Sequence, residues 1–435
     1  MIRERRCEQG KTLRRERSKG SDQRHDKGKC MQPWQHYVLN GKSQQTLLLD
    51  AEKSKRTDQR SMRDANRLVV LNYIRGRQTL PRSELARVTG LSRTTIGTIV
   101  DELLQIGIIQ QEAYQDGEDR RTNTLSFNKT ASAVVGGTLG RDHLTLLLAD
   151  LTGTPIQDLT LPFATDEGPE KGLPLLGEQI KTFVSQHMEW NKVVGIGLGI
   201  VGPLDPSLQK TTVPSPFAGW AGVNIQQALA QSLGVSVYLD NDGNMGALGE
   251  SRYGVGRNEQ NMIYVKVGSG IAGGLILNKQ LYRGDKGMAG EIGHIPIDFN
   301  GTLCHCGQYG CLETVAGKSG ILMEARRLNP AITTITHAIA AAREGDPACI
   351  HALERAGKYL GFALASLVNG LNPSVIVFDG STMQAGEIIL RPLRSMLEAH
   401  CLPASFASTR VMLAEQSGSA MALGGVATIL EAIFS

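Results

Sequence analysis

The apolar positions change rhythm twice along the chain. From Asp64 they recur at helical spacing. Beyond Lys129 they fall into short solid runs separated by glycine and polar clusters. In "DANRLVVLNYIRGR", Leu68, Leu71 and Ile74 share one arc behind Asp64, which reads as an N-cap. "LPRSELARVTGLSRTTIGTIVDELLQIGII" predicts helix, tight turn, helix. Ser83 caps the first helix, Thr89-Gly90 make the turn and Ser92 caps the second. Ile96, Ile99, Leu103 and Ile106 face a core, leaving Arg93, Thr94, Thr95 and Thr98 outward near the N-terminal end. "IIQQEAYQDGEDRRTNTLSF" then predicts two strands about a turn at Asp116-Gly117, with Arg120 and Arg121 at its tip.

Helix, turn, outward-facing helix and hairpin, in that order, describe a winged helix-turn-helix over 63–128. Such a head presents the start of its second helix to the major groove. Its wing-tip arginines reach a minor groove or phosphates. The alternative is a small helical hairpin packed on its neighbour, with solvated arginines.

Beyond Lys129, strands and helices alternate, which predicts an α/β domain over 129–435. "LTLLLADLTGTPI" is two strands about Thr152-Gly153. "KVVGIGLGIVGPLD" is an apolar strand entering a glycine loop, and "VSVYLDNDGNMGALGESRYG" is a strand followed by a helix. "MIYVKVGSGIAGGLILNKQLYRG" is a glycine-rich hairpin. A long helix then stops before Pro373 and leads into the buried strand of "SVIVFDGS".

Composition adds bounds. With 435 residues, 41% apolar and 20% charged, the chain can bury more than one core. No apolar run nears the ~20 residues of a membrane span, and the N-terminus is too charged for a signal peptide. Seven cysteines, an odd number, fit a reducing cytoplasm rather than a disulfide scaffold. Residues 1–60 hold 16 Lys+Arg against 8 Asp+Glu, whereas the remainder holds 30 against 34. The basic segment 1–62 has few apolar residues and is expected to be disordered. It is either a solvated arm, sequence ahead of an internal start at Met62, or an arm drawn to DNA phosphates.

The chemistry concentrates in "GHIPIDFNGTLCHCGQYGC". Cys304, Cys306 and Cys311 with His294 form a Cys3His set, a usual closed tetrahedral zinc combination. A zinc finger is excluded because no second histidine follows at finger spacing, and no C-x-x-C redox pair is present. Gly307 and Gly310 let the backbone fold back so that Cys306 and Cys311 converge. An inert cluster is the other reading. A closed four-ligand site leaves no position for catalysis, so its role would be to brace loop 294–311 and fix Glu291 and Glu313.

Over about 63–435 the chain resembles the ROK family of repressors and sugar kinases. "GMAGEIGHIPIDFNGTLCHCGQYGCLET" matches its E-x-G-H and C-x-C-G-x-x-G-C-x-E motifs, and "DNDGNMGALGE" and "GSGIAGGLILNKQLYRG" match further segments. The resemblance implies a two-lobed, actin-like (ribonuclease-H-like) sugar-kinase domain behind the winged head, and a bound Zn2+. It places a sugar against Asn241, Asp242, Glu291, His294 and Glu313. Carboxylates and an amide can pin hydroxyls that both donate and accept. If His294 gives one ring nitrogen to zinc, the other can still donate.

Against the family's kinases the chain departs twice. Where they carry a phosphate-binding D-x-G-G-T, it has "TLGRDH". Thr138 replaces the Asp, and Arg141 and Asp142 replace the second Gly and the Thr. Asp379 in "IVFDGS" stands where they carry glycines. An anion beside a phosphate loop opposes ATP. "GSGIAGG" keeps most of a second phosphate loop and Asp242 keeps the catalytic-base position. The reading is therefore a non-enzymatic, sugar-responsive repressor, cytoplasmic and nucleoid-associated, binding double-stranded operator DNA as a homodimer or homotetramer. Its effector would be a sugar or sugar phosphate, the free sugar preferred because Asp242 repels a phosphate. The resemblance offers xylose, glucose and N-acetylglucosamine or its phosphate as candidates. The alternatives are an ATP-dependent sugar kinase with an added DNA-binding head, and a regulator that senses a protein partner.

Overall fold

The computed structural model describes residues 59–77, 79–116, 120–202, 204–205, 210–211, 217 and 219–435. The expected basic tail lies outside the described residues up to position 58. Helix α1 (Gln59–Arg77) begins before the expected Asp64 cap. Asp64 is therefore inside the helix and accepts a hydrogen bond from Arg67 at 2.9 Å instead. The buried arc is Val70, Leu71 and Ile74, with Leu68 only half-buried. Strand β1 (Leu80–Pro81) leads into α2 (Arg82–Thr89), whose N-cap position is Pro81 with no side-chain cap, so Ser83 does not cap it.

Gly90 closes α2 in the left-handed conformation at φ 70°. Ser92 caps α3 (Arg93–Gln105) by accepting from the Thr95 N–H at 3.1 Å. Ile96, Ile99, Val100 and Leu103 are buried, while Ile106 is half-buried at the helix end. Strands β2 (Ile109–Asp116) and β3 (Arg120–Phe127) pair antiparallel from Ile109↔Phe127 to Asp116↔Arg120. β1 adds to the outer side of β3, completing a winged helix-turn-helix.

Two five-stranded sheets follow. The first has order β10-β7-β4-β5-β6, from β4 (Ala133–Leu139), β5 (His143–Asp150), β6 (Pro155–Pro162), β7 (Val193–Ile200) and β10 (Ser236–Asn241). The second has order β13-β12-β11-β14-β15, from β11 (Met262–Val267), β12 (Ile271–Leu277), β13 (Gln280–Tyr282), β14 (Val375–Asp379) and β15 (Arg410–Leu413). Each sheet is an antiparallel meander extended by two parallel strands. This repeat makes the two-lobed, actin-like arrangement. A short ribbon, β8 (Leu204–Asp205) with β9 (Lys210–Thr211), stands apart from both sheets.

Helices α4 (Pro169–Ser185) and α5 (Ile225–Leu233) cover the first sheet through Leu176, Ile180, Phe183 and Leu229. α6 (Asp242–Tyr253) follows β10 directly. In the second lobe come the short α7 (Glu313–Ala316), then α8 (Lys318–Leu328), α9 (Ile335–Arg343) and α10 (Pro347–Leu371), with α11 (Glu387–His400) and α12 (Pro403–Ser408) after β14. As expected, α10 ends before Pro373, with Asn372 left-handed at φ 44°.

The last helix, α13 (Ala420–Phe434), joins three regions. It crosses α6 so closely that a Cβ on Gly424 would lie 1.8 Å from the Met245 carbonyl oxygen. Only glycine permits that approach. Its far end enters one core with the winged head: Ile433 and Phe434 join Leu71, Ile74, Ile108 and Phe127. The Asn72 side-chain amide donates to the Phe434 carbonyl at 2.9 Å, and the Arg75 guanidinium lies 4.3 Å from the Phe434 ring centre. The head is thus packed on the element that also lies against α6.

Candidate functional site

The candidate ligand site forms where the β10–α6 junction of one lobe meets the loop 291–313 of the other. A polar strand end running straight into a helix leaves Asn241 as N-cap and Asp242 as the first helical residue. The Asn241 side chain accepts from the Gly243 N–H at 2.8 Å and donates to the Gly202 carbonyl at 3.0 Å. One donor and one lone pair of its amide remain. Asp242 is 2% exposed and accepts from its own helix at the Gly243 N–H, 3.1 Å away. Its other oxygen meets the Lys266 ammonium of β11 at 3.1 Å.

Glu291 is half-buried, and its carboxyl is pushed up to about 7 by burial, with Asp242 and Glu313 adding repulsion. Glu313 opens α7, accepts the Ile271 N–H at 3.0 Å and lies 3.0 Å from His305 Nδ1. Of the five residues expected to hold a sugar, Asp242 and Glu313 lie close enough to Glu291 to act on its carboxyl. His294 Nε2 lies 3.9 Å from Glu291, and Asn241 directly precedes Asp242 as the N-cap of α6. Asp240 backs the site, bonding Arg283 at 2.8 Å and Asn244 at 2.7 Å.

Next to it lies the sulfur cluster. The ligand atoms of His294, Cys304, Cys306 and Cys311 all lie within 4.8 Å of one another. Cys306 and Cys311 sulfurs are 3.6 Å apart, and the Cys304 sulfur is 3.6 Å from His294 Nδ1. Tetrahedral zinc with bonds of ~2.0–2.3 Å requires ligand–ligand separations of roughly 3.5–3.8 Å, which these two pairs match, so the donor set can close on a metal. Burial pushes the Cys311 thiol up to about 12 and lowers His294, whose neutral form is the one that ligates. A dication supplies the charge that buried thiolates require. The loop closes through Gly307 and Gly310, at φ 87° and 67°. A Cβ on Gly310 would lie 1.6 Å from the Asp298 carbonyl oxygen.

Sequence reasoning missed two residues here. His305, between the first two cysteines, faces Glu313 and belongs to a second potential metal set, Cys304–His305–Glu313. Both sets share Cys304, so one ion would exclude the other. Lys266 gave no motif signal, although a lysine among the apolar residues of "MIYVKV" is a lone buried cation awaiting a partner. A cavity of about 250 Å3 shares Glu313 and His305 with this region and reaches Arg141, Ser269 and Ser319. It contains none of Asn241, Asp242, Glu291 or His294.

The kinase-type elements also have definite positions. Gly140, Arg141 and Asp142 form the tip between β4 and β5, where the Gly140 N–H meets the His143 carbonyl at 2.9 Å. His143 lowers the Asp142 carboxyl below its ordinary range. Gly268–Gly270 form the tip between β11 and β12. Asp379 is 3% exposed at the end of β14, accepting from Tyr264 Oη at 2.8 Å and Ser417 Oγ at 2.9 Å.

On the head, Arg93, Thr94 and Thr98 are exposed at the start of α3, and Thr95 is half-buried against Ser92. Arg93 has no acidic partner among the described residues, unlike Arg82 and Arg87, which pair with Asp101 and Glu84. Backbone pairing puts Arg120 opposite Asp116 and Arg121 opposite Gln115, at the outer end of the wing. Their side chains and residues 117–119 lie outside the described residues. Among the described residues no helix is long and apolar enough to cross a membrane.

Comparison with known proteins agrees with both halves. Residues 134–432 match the ROK family, and residues 63–110 match the winged helix-turn-helix DNA-binding family. A xylose repressor of Caldicellulosiruptor bescii is 28% identical over 389 residues, covering 86% of this chain and 97% of its own. A glucokinase of Halalkalibacterium halodurans is 33% identical over 262 residues, covering 56% of this chain and 78% of its own. Among solved structures, a ROK family transcriptional regulator, described as a homologue of the E. coli MLC protein, superposes with TM-score 0.73 at 25% identity. It covers 86% of this chain and 97% of its own.

Proposed function

Because the chain belongs to the ROK family, we propose that it is a sugar-responsive DNA-binding transcriptional regulator, a repressor of carbohydrate-use genes, whose kinase-like domain senses the effector. The observation that carries this reading is coverage. The likeness to a xylose repressor runs through the winged head and the two lobes together, over 97% of that repressor. It covers 86% of this chain, against 56% for the glucokinase likeness.

The reading divides the chain into a basic tail 1–62, a DNA-binding head 63–128 and a ligand-binding domain 129–435. Arg93, Thr94, Thr95 and Thr98 enter the major groove, and Arg120 and Arg121 contact the adjacent backbone or minor groove. Two or four copies present paired heads to a palindromic operator. Asn241, Asp242, Glu291, His294 and Glu313 hold the sugar. His294, Cys304, Cys306 and Cys311 hold Zn2+, which supplies structural charge neutralisation rather than a catalytic position. His294 uses Nδ1 for the metal and turns Nε2 toward Glu291 and the sugar.

A coupling route is supported by packing. Asp242 begins α6, α6 crosses α13 at Gly424, and α13 ends against Phe127 and Asn72 of the head. A sugar that prefers one arrangement of the lobes therefore biases the placement of the heads.

Kinase activity is the second reading, favoured by the retained Asp242 and by the glucokinase likeness. Three features oppose it. Asp142 stands at the first phosphate-type tip, Asp379 is engaged by Tyr264 and Ser417, and Asp242 is paired with Lys266. Calorimetric titration with sugars, sugar phosphates and ATP separates the two. A sugar that binds while ATP gives no heat supports the sensor. Turnover heat with both ligands makes the protein a kinase.

A further inference from the structure

Lys266 is an expensive residue where it stands. It sits between Val265 and Val267 in β11, its side chain is 15% exposed, and burying an amine is unfavourable unless it is paired. Among the described residues its partner is Asp242, at 3.1 Å. One N–H of three is thereby used. Asp242 is also the deepest of the site acids, with 3% of its side chain exposed against 26% for Glu291 and 16% for Glu313. Asp242 is thus the innermost acid of the proposed site.

We propose that Lys266 is a specificity-determining residue that shortens the site: its ammonium takes the acceptor face of Asp242 that a hexose's exocyclic hydroxyl would otherwise use, so the effector is a neutral five-carbon sugar. The inference rests on the reading of this acid cluster as a sugar site.

An aldopentopyranose and an aldohexopyranose differ by one hydroxymethyl, the longest arm of the ring. Ammonium and hydroxyl are similar in size and both donate to a carboxylate at about 2.7–3.1 Å. Lys266 therefore satisfies Asp242 from within the protein. A hexose arm must displace an ion pair from its partner or be left without an acceptor. A phosphorylated sugar fares worse, since Asp242, Glu291 and Glu313 outnumber the single ammonium. The remaining N–H groups of Lys266 can donate to the oxygens of a shorter ring.

The test is calorimetric titration of the full-length protein and of K266S and K266M, with D-xylose, L-arabinose, D-glucose and D-glucose 6-phosphate as probes. The wild type should bind one of the pentoses at least about ten-fold more tightly than glucose, with glucose 6-phosphate weakest. K266S vacates both the charge and the space, and should shift the pentose-to-glucose ratio toward glucose by about ten- to a hundred-fold. K266M vacates the charge but fills the space, and should go on excluding glucose. A K266S protein that binds sugar with the wild-type ratio overturns the inference. So does a wild type that prefers glucose, whatever the variants do. If all three proteins melt cooperatively and none binds any probe, the sugar reading of the site falls and takes this inference with it.

Discussion

The ring of Phe434, on the last helix, meets the ring of Phe127, on the wing, edge to face at 87° with centres 6.0 Å apart. One aromatic pair thus ties the final strand of the DNA-binding head to the helix that lies against α6. Such a pair contributes roughly 0.5–1.5 kcal/mol beyond its buried area. The Arg75 guanidinium over Phe434 adds a further contact from α1.

Replacing Phe434 with alanine should therefore weaken the seam rather than either site. We expect a stability loss of about 3 kcal/mol in urea unfolding. Sugar affinity should stay within a few-fold of wild type, while the effect of sugar on DNA affinity shrinks. Unchanged coupling in a destabilised F434A protein would separate packing from signalling.

Arg93 should act on DNA alone. R93A is expected to lose about 1–3 kcal/mol of affinity for a duplex selected from random sequence, with a shallower salt dependence. Its sugar affinity and thermal midpoint should not move. Fluorescence anisotropy across a salt series reads the DNA terms.

The sulfur cluster predicts metal dependence. Wild-type protein should carry about one equivalent of zinc per chain by mass spectrometry, and C311S should carry almost none. Chelator should lower the melting temperature of the wild type to that of C311S and leave C311S unmoved. Equal melting of wild type with and without chelator would remove the metal brace.

Glu250 provides a pH signature. It is fully buried in α6, and burial raises its carboxyl above the ordinary range despite bonds from the backbone N–H groups of Val255 and Gln416. A carboxyl raised in the folded state stabilises the fold below its unfolded value of ~4.3. That contribution is lost as pH rises through the folded value. Wild type should thus lose stability relative to E250Q as pH is raised from about 4, in urea midpoints measured across the range. A constant difference would assign Glu250 a purely geometric role.

Much of this was legible from residue pattern because the signals were local. Ser92 caps α3 through its own side chain, Gly90 ends α2, and Gly307 and Gly310 close the cysteine loop, each by chemistry contained in a few neighbours. Asp64 and Ser83 misled for the same local reason. Both are good capping residues, but α1 starts earlier at Gln59, and Pro81 begins α2 with no side-chain cap. What the sequence hid was long-range. Lys266 and Asp242 are 24 residues apart, Tyr264 and Asp379 are 115 apart, and Asn72 and Phe434 are 362 apart. Periodicity carries no information about such pairs. His305 was hidden differently, as the unremarked middle residue of a motif whose cysteines drew the attention.

Operator binding under effector control is the property that defines a sugar-responsive repressor. Full-length, zinc-loaded protein would be titrated onto a selected duplex by fluorescence anisotropy, alone, with D-xylose, L-arabinose, D-glucose or N-acetyl-D-glucosamine, and with ATP. One sugar should change DNA affinity by about ten-fold or more, and ATP should change nothing. Failure to select any duplex, or phosphorylation of the sugar in the presence of ATP, would contradict it.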